Sequence, residues 1–124
     1  MDRPMSGADQ YLLAIYIESH RDDSPVPTGQ LADRLEKAAP SVTEMLKQLD
    51  ENGLVTYTPY KGARLTDAGR ERATELHESY VTLSWFFRSV LDLETHESEA
   101  MELASIIDPT VTDRLAATLP DDDR

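Results

Sequence analysis

In the run Pro40-Ser41-Val42-Thr43-Glu44-Met45-Leu46-Lys47-Gln48-Leu49-Asp50-Glu51-Asn52-Gly53, apolar side chains recur at 42, 45, 46 and 49. That spacing puts them on one face of an α-helix. Pro40 suits the first helical position, where its missing N–H costs nothing. Asn52-Gly53 suits the end, glycine being at ease in a left-handed cap. Upstream, Glu36 to Ala39 is a short connection. Before it Thr28 reads as the N-cap of a short helix, Gly29 to Leu35, whose inward residues are Leu31, Ala32 and Leu35. Downstream, Leu54 to Thr58 has strand composition, Pro59-Tyr60-Lys61-Gly62 is a turn, and Ala63 to Leu65 is a short returning strand.

The flanks extend the pattern. Apolar positions 8, 11, 12, 15 and 16 form one face of a first helix, and the proline-punctuated segment 20–27 reads as a loop. Thr66 reads as the cap of a long helix to about Leu91, carrying Leu76, Tyr80, Leu83, Phe87 and Val90. Another helix is expected over about Glu97 to Ile107. Asp108-Pro109 opens a last one ending near Leu119, before an acidic tail. The expected fold is mainly α: a winged helix-turn-helix, with three helices plus a two-stranded wing, followed by a helical dimerisation region. The boundaries fall at 1–66, 67–119 and 120–124.

In such a motif the second motif helix lies in the major groove of double-stranded DNA, its N-terminal residues reaching base edges. With Val42, Met45, Leu46 and Leu49 inward, Pro40, Thr43, Glu44 and Lys47 face outward. Ala39, Pro40 and the Thr43 methyl suit thymine methyls, Ser41 and Thr43 suit phosphates or bases, and Glu44 suits the amino group of cytosine. Thr28 belongs to the same expected surface. The chain has only three lysines: Lys37 in the motif turn, Lys47 on the outward helical face and Lys61 at the wing tip beside Tyr60, with Arg64 following. These are places where a helix-turn-helix and its wing meet phosphates.

The composition is otherwise acidic. The 124 residues carry 24 Asp plus Glu against 12 Lys plus Arg, a net charge of −12. Residues 1–66 hold 7 basic and 10 acidic groups, residues 67–124 hold 5 and 14, so the acid lies mostly away from the proposed DNA face. Acid surplus with scarce lysine resembles proteins of a salt-saturated cytoplasm, where charges are screened over roughly 3 Å at 1 M salt. Bound K+, Na+ and Cl− ions are expected companions. No apolar run is long enough to span a bilayer and no secretion signal is visible, so the expected location is the cytoplasm, with no membrane partner. Cysteine is absent, which removes disulfides and thiol sensing. His20, His77 and His96 do not sit at metal-ligand spacing. With no glycine-rich phosphate loop and no nucleophile motif, an enzyme is not expected.

The segments Tyr11-Leu12-Leu13-Ala14-Ile15-Tyr16, Gln30-Leu31-Ala32-Asp33-Arg34-Leu35, Pro40 to Val55 and Leu65-Thr66-Asp67-Ala68-Gly69-Arg70 resemble the DtxR/MntR family. The likeness is strong through residue 72 and looser to 119. The resemblance implies a two-fold dimer formed by the helices after the wing, and a chain ending there as in the shorter manganese-sensing branch, without an SH3-like third domain. It also implies activation by a divalent metal, yet the ligand positions fall on Gln10, Leu13, Tyr80, Ser84, Met101, Ala104 and Ser105. Hard divalent cations want converging oxygen or imidazole donors, which Leu13, Ala104 and Ser105 do not supply. The expectation is therefore a regulator with no metal cofactor at that site, its switch lost or replaced, with oxidative stress one candidate signal. Tyr80, Trp85, Phe86, Phe87 and Met101 are expected at the dimer surface; no small-molecule ligand is specified. Two other readings remain open: a metal-activated repressor with relocated ligands, and a winged-helix protein-interaction module that never touches DNA.

Overall fold

A computed structural model of the chain describes residues 7–20, 24–93 and 97–118, apart from the side chain of Ser98. The elements are α1 (Ala8–Glu18), α2 (Thr28–Leu35), α3 (Ala39–Glu51), β1 (Val55–Thr58), β2 (Gly62–Leu65), α4 (Asp67–Ser89), α5 (Glu97–Ile106) and α6 (Pro109–Thr118). This is a winged helix-turn-helix followed by helices. Contacts divide the chain into two compact units between Thr74 and Glu75, inside α4, so the first turns of α4 belong with the winged unit.

In the first unit α1 packs on α2 and β2, α2 on α3, and α3 on β1. Leu12, Leu13, Ile15, Leu31, Val42, Leu46, Leu49 and Val55 are its fully buried large side chains. The helix α1 is more deeply embedded than a one-sided apolar stripe requires. Leu13 and Ala14 are buried along with Ala8, Tyr11, Leu12 and Ile15, whereas Tyr16 is only half-buried. Arg72 on α4 grips Asp9 on α1 with two parallel bonds, Nε to Oδ1 at 3.2 Å and Nη2 to Oδ2 at 2.7 Å. Glu18 accepts from Gln30 and Arg34, tying the end of α1 to α2.

Several sequence expectations are corrected here. Thr28 is the first residue of α2 and the cap position is Pro27, with no side-chain capping bond. Pro40 is the second residue of α3, which starts at Ala39 after Ala38. Leu35 and Met45 are half-buried rather than fully inward. The segment read as a loop contains a strand-like contact: Val26 donates to the Ala63 carbonyl at 2.9 Å and accepts from the Ala63 N–H at 3.0 Å. Ala63 also pairs with Tyr57 across the hairpin, so β2 is bonded on both sides. Positions 21–23 of that segment lie outside the described residues.

The wing joins α4 through Thr66. Its hydroxyl donates to the Gly53 carbonyl at 2.7 Å and accepts from the Gly69 N–H at 3.1 Å, the N-capping bond expected of it. A Cβ on Gly69 would stand 1.9 Å from the Leu54 carbonyl oxygen, so only glycine lets α4 start this close to the strand.

The second unit has a thin core. Leu83, Ala100 and Ala104 are buried together, flanked by half-buried Tyr80, Phe87, Leu103, Ile107 and Leu115. A buried Ser79–Thr112 hydroxyl pair at 3.1 Å links α4 to α6. Asp108 Oδ1 accepts from the Thr110 N–H at 2.8 Å, capping α6 as expected. The helix α4 ends at Ser89, short of Leu91, because Asp92 turns left-handed (φ 59°) and the Leu93 N–H folds back on the Phe87 carbonyl at 2.9 Å. Val90 therefore lies past the helix end and is exposed. His96, Leu119 and the tail lie outside the described residues.

Candidate nucleic-acid interface

The motif turn follows from one backbone bond and one left-handed residue. The Lys37 N–H reaches the Ala32 carbonyl at 3.0 Å, and Glu36 takes a left-handed conformation (φ 57°) to allow it. The chain reverses and enters α3 in extended geometry at Ala38. Burial of Val42, Leu46 and Leu49 then fixes how α3 is rotated. Ala39, Pro40, Ser41, Glu44 and Lys47 are exposed and Thr43 is half-buried, so the surface expected from the sequence is the one presented. The first-turn N–H groups of a helix have no intrahelical partner and carry partial positive charge, which suits them to phosphate. Thr28, at the start of α2, is half-buried, and Lys37 in the turn is exposed.

On the wing, Lys61 and Arg64 are exposed, and Tyr60 at the tip is 106% exposed. The closing bond runs from the Lys61 N–H to the Thr58 carbonyl at 3.0 Å, so the turn is Thr58 to Lys61 and Gly62 already belongs to β2. The hairpin is held to α3 by Asp50, whose carboxylate accepts from the Tyr57 N–H at 2.8 Å.

The cations of the winged unit fall into two groups, with exposed Arg70 on α4 also outside any side-chain ion pair or hydrogen bond among the described residues. Arg34 and Arg72 are engaged with Glu18 and Asp9. Among the described residues, Lys37, Lys47, Lys61 and Arg64 have no side-chain ion pair or hydrogen bond. Four unengaged cations thus surround the exposed start of α3 and the wing of a chain whose net charge is −12.

In the second unit Tyr80, Trp85, Phe86 and Phe87 are half-buried, while Met101 is 3% exposed and so packed inside rather than offered to a partner. Among the described residues of this unit Val81, Leu91, Leu93, Ile106 and Val111, which sequence reasoning did not single out as surface, are exposed large apolar side chains, as is Val90, which was expected on the apolar face of the long helix.

Residues 5–63 match the iron dependent repressor N-terminal DNA-binding domain. An uncharacterized HTH-type transcriptional regulator of Methanocaldococcus jannaschii is 32% identical over 109 residues, covering 86% of this chain and 87% of that protein. The diphtheria toxin repressor of Corynebacterium glutamicum is 25% identical over 116 residues, 91% of this chain and 50% of its own length. Among solved structures, the manganese regulator SloR superimposes with a TM-score of 0.74 at 28% identity, covering 89% of this chain and 52% of SloR. The chain therefore belongs to the iron-dependent repressor family of DtxR/MntR-type transcriptional regulators. It spans most of its archaeal relative but about half the length of these other two.

The donor chemistry expected of a metal regulator does not fit the residues present. Leu13 is 1% exposed and embedded in the first core, and Ala104 is buried in the second. Neither side chain has a donor atom. Among the described residues no three His, Cys, Asp or Glu side chains come together as a cation would require. No helix among the described residues is long and apolar enough to cross a membrane.

Proposed function

We propose that the chain is a sequence-specific regulator of transcription that binds double-stranded DNA as a homodimer. The N-terminal half of α3 enters the major groove, and Lys37, Lys47, Lys61 and Arg64 meet phosphates around it. The observation that carries this reading is that all three lysines of an acidic protein, together with Arg64, lie exposed on the motif turn, α3 and the wing. Ser41, Thr43 and Glu44 are the side chains of α3 suited to base edges, with Ala39 and Pro40 against thymine methyls. Thr28 reaches at most a flanking phosphate.

The second unit supports the dimer. A unit of this size buries little surface, and it leaves six large apolar side chains exposed. Val81, Trp85, Val90, Leu91 and Leu93 near the end of α4 are the surface we assign to the partner, with Tyr80, Phe86 and Phe87 at its edge.

The switch of this regulator does not use the family's metal site, and with no cysteine it does not use a thiol. A stress signal, oxidative stress included, would have to be read by other means. The cytoplasm, at high salt, is the compartment we assign. A metal-activated mechanism with relocated ligands is favoured by one observation, the likeness to SloR, a manganese regulator. Elemental analysis and DNA binding with and without EDTA decide between them: our reading expects no stoichiometric divalent metal and no loss with EDTA.

Replacing Lys47 and Lys61 by Glu tests the DNA face. Loss of duplex binding with the dimer intact is expected. Unchanged duplex binding would move the interface elsewhere. If the wild type selects no duplex but captures a protein through this face, the chain is an interaction module.

A further inference from the structure

The wing tip combines two features that cost stability and return none within the molecule. Tyr60 stands at φ 68°, in the left-handed region where a side chain with a Cβ is strained. Pro59 before it and the Lys61 to Thr58 closing bond are the layout of a type II turn, which calls for glycine or asparagine at this third position. The chain places a tyrosine there instead. Its ring is 106% exposed, so it covers no core and is left entirely to solvent. Strain of this kind clusters at functional sites, and an observed outlier is a fair start for a functional inference.

The base of the wing is fixed. The strand β2 is bonded to β1 on one side and to Val26 on the other. At Gly62 a Cβ would come within 2.1 Å of the Val26 carbonyl oxygen, so β2 is packed backbone against backbone directly after the turn. The backbone therefore holds Tyr60 in a set place at the tip, followed by Lys61 and, further down β2, Arg64. The ligand that suits an exposed aromatic ring on a cationic hairpin is a polyanion with an apolar face between its charges. The minor groove of DNA has that character: deoxyribose walls line a slot about 6 Å wide between two phosphate rows, with acceptors on its floor.

We propose that Tyr60 enters the minor groove flanking the sequence contacted by α3, ring against a sugar wall and hydroxyl toward a groove-floor acceptor. It thereby contributes preference at base pairs that α3 does not touch. A narrow, A·T-rich groove grips the ring more closely than a G·C-rich one, whose exocyclic amino group crowds the floor. This rests on the DNA-binding reading above and adds to it a specificity-determining residue.

The test uses the full chain, its duplex selected from a random pool, and a second duplex whose flanking A·T pairs are changed to G·C. Wild type, Tyr60→Gly, Tyr60→Phe and Lys47→Glu are compared by fluorescence anisotropy. Tyr60→Gly is expected to lose about tenfold in affinity for the selected duplex and to bind the two duplexes equally. Its thermal midpoint should stay or rise, since glycine relieves the positive φ, which excludes misfolding as the cause. Tyr60→Phe should keep most of the affinity and part of the preference. Tyr60→Gly binding like wild type, flank preference included, while Lys47→Glu fails, would overturn the proposal and leave the DNA face standing. The tip would then serve a protein contact. A wild type that selects no duplex at all removes the DNA-binding reading, and this proposal with it.

Discussion

Burial pushes the phenol of Tyr11 above the ordinary tyrosine value. In the unfolded chain the phenol ionises near 10, while the folded protein still holds the proton. Above that pH the unfolded state binds fewer protons, so stability falls as pH rises. Urea titrations of wild type and Tyr11→Phe between pH 8 and 11 should show the wild type losing stability more steeply above pH 10. Equal slopes would mean that the phenol reaches water. Backbone crowding gives a second residue-scale prediction. Gly69→Ala forces a Cβ onto the Leu54 carbonyl and should cost about 1–3 kcal/mol in urea denaturation. Glu36 is the converse case, exposed and left-handed at the motif turn. Glu36→Gly should be neutral or stabilising by up to about 1 kcal/mol, because glycine takes that conformation without strain.

At the scale of elements, much of the winged unit was legible because its signals are local. Val42, Leu46 and Leu49 repeat at helical spacing, Pro40 and Gly53 bracket them, and Thr66 caps α4 where a Thr-Asp step said it would. What was not legible depends on partners distant in sequence. Val26 sits between two prolines and looks like loop; only Ala63, far along the chain, makes it a strand residue. Leu13 and Ala14 fall off the apolar stripe of α1, and their burial follows from α2 and β2 packing on that helix. Tyr60 defeated the turn reading because the left-handed position carries no glycine. Thr28 and Met101 were assigned by residue type alone, and the environment of each decided otherwise. The Asp9–Arg72 pair, 63 residues apart, belongs to the same class. Its parallel geometry and partial burial make it more than a casual surface pair, so Asp9→Asn should lower stability by about 1 kcal/mol, less at high salt. A double-mutant cycle with Arg72→Gln isolates the coupling; no coupling would show that the two groups are better solvated than they look.

At the scale of the whole molecule the acidity and the DNA face have to coexist. Ordinary DNA binding weakens as salt rises, because neutralising phosphates releases counterions. In the proposed complex about four cations meet the duplex while the chain carries −12, so repulsion between protein and DNA is the term that salt relieves. Affinity should therefore be nearly flat, or improve, between about 0.3 and 2 M KCl. A steep monotonic decline would show that local phosphate contacts outweigh the global charge. The exposed apolar side chains near the end of α4 give the proposed dimer its own prediction: Leu93→Lys together with Val81→Lys should shift sedimentation toward monomer and weaken operator binding in parallel.

The most direct measurement of the central claim is a comparison of wild type and Lys47→Glu on a duplex selected by the wild type from a random pool, read by fluorescence anisotropy in molar KCl with EDTA present. Saturable, sequence-dependent binding by the wild type and its loss in the variant, both chains folded and dimeric, is the result this account predicts. A wild type that selects no sequence, needs added divalent metal, or binds equally well with Lys47 replaced would contradict it.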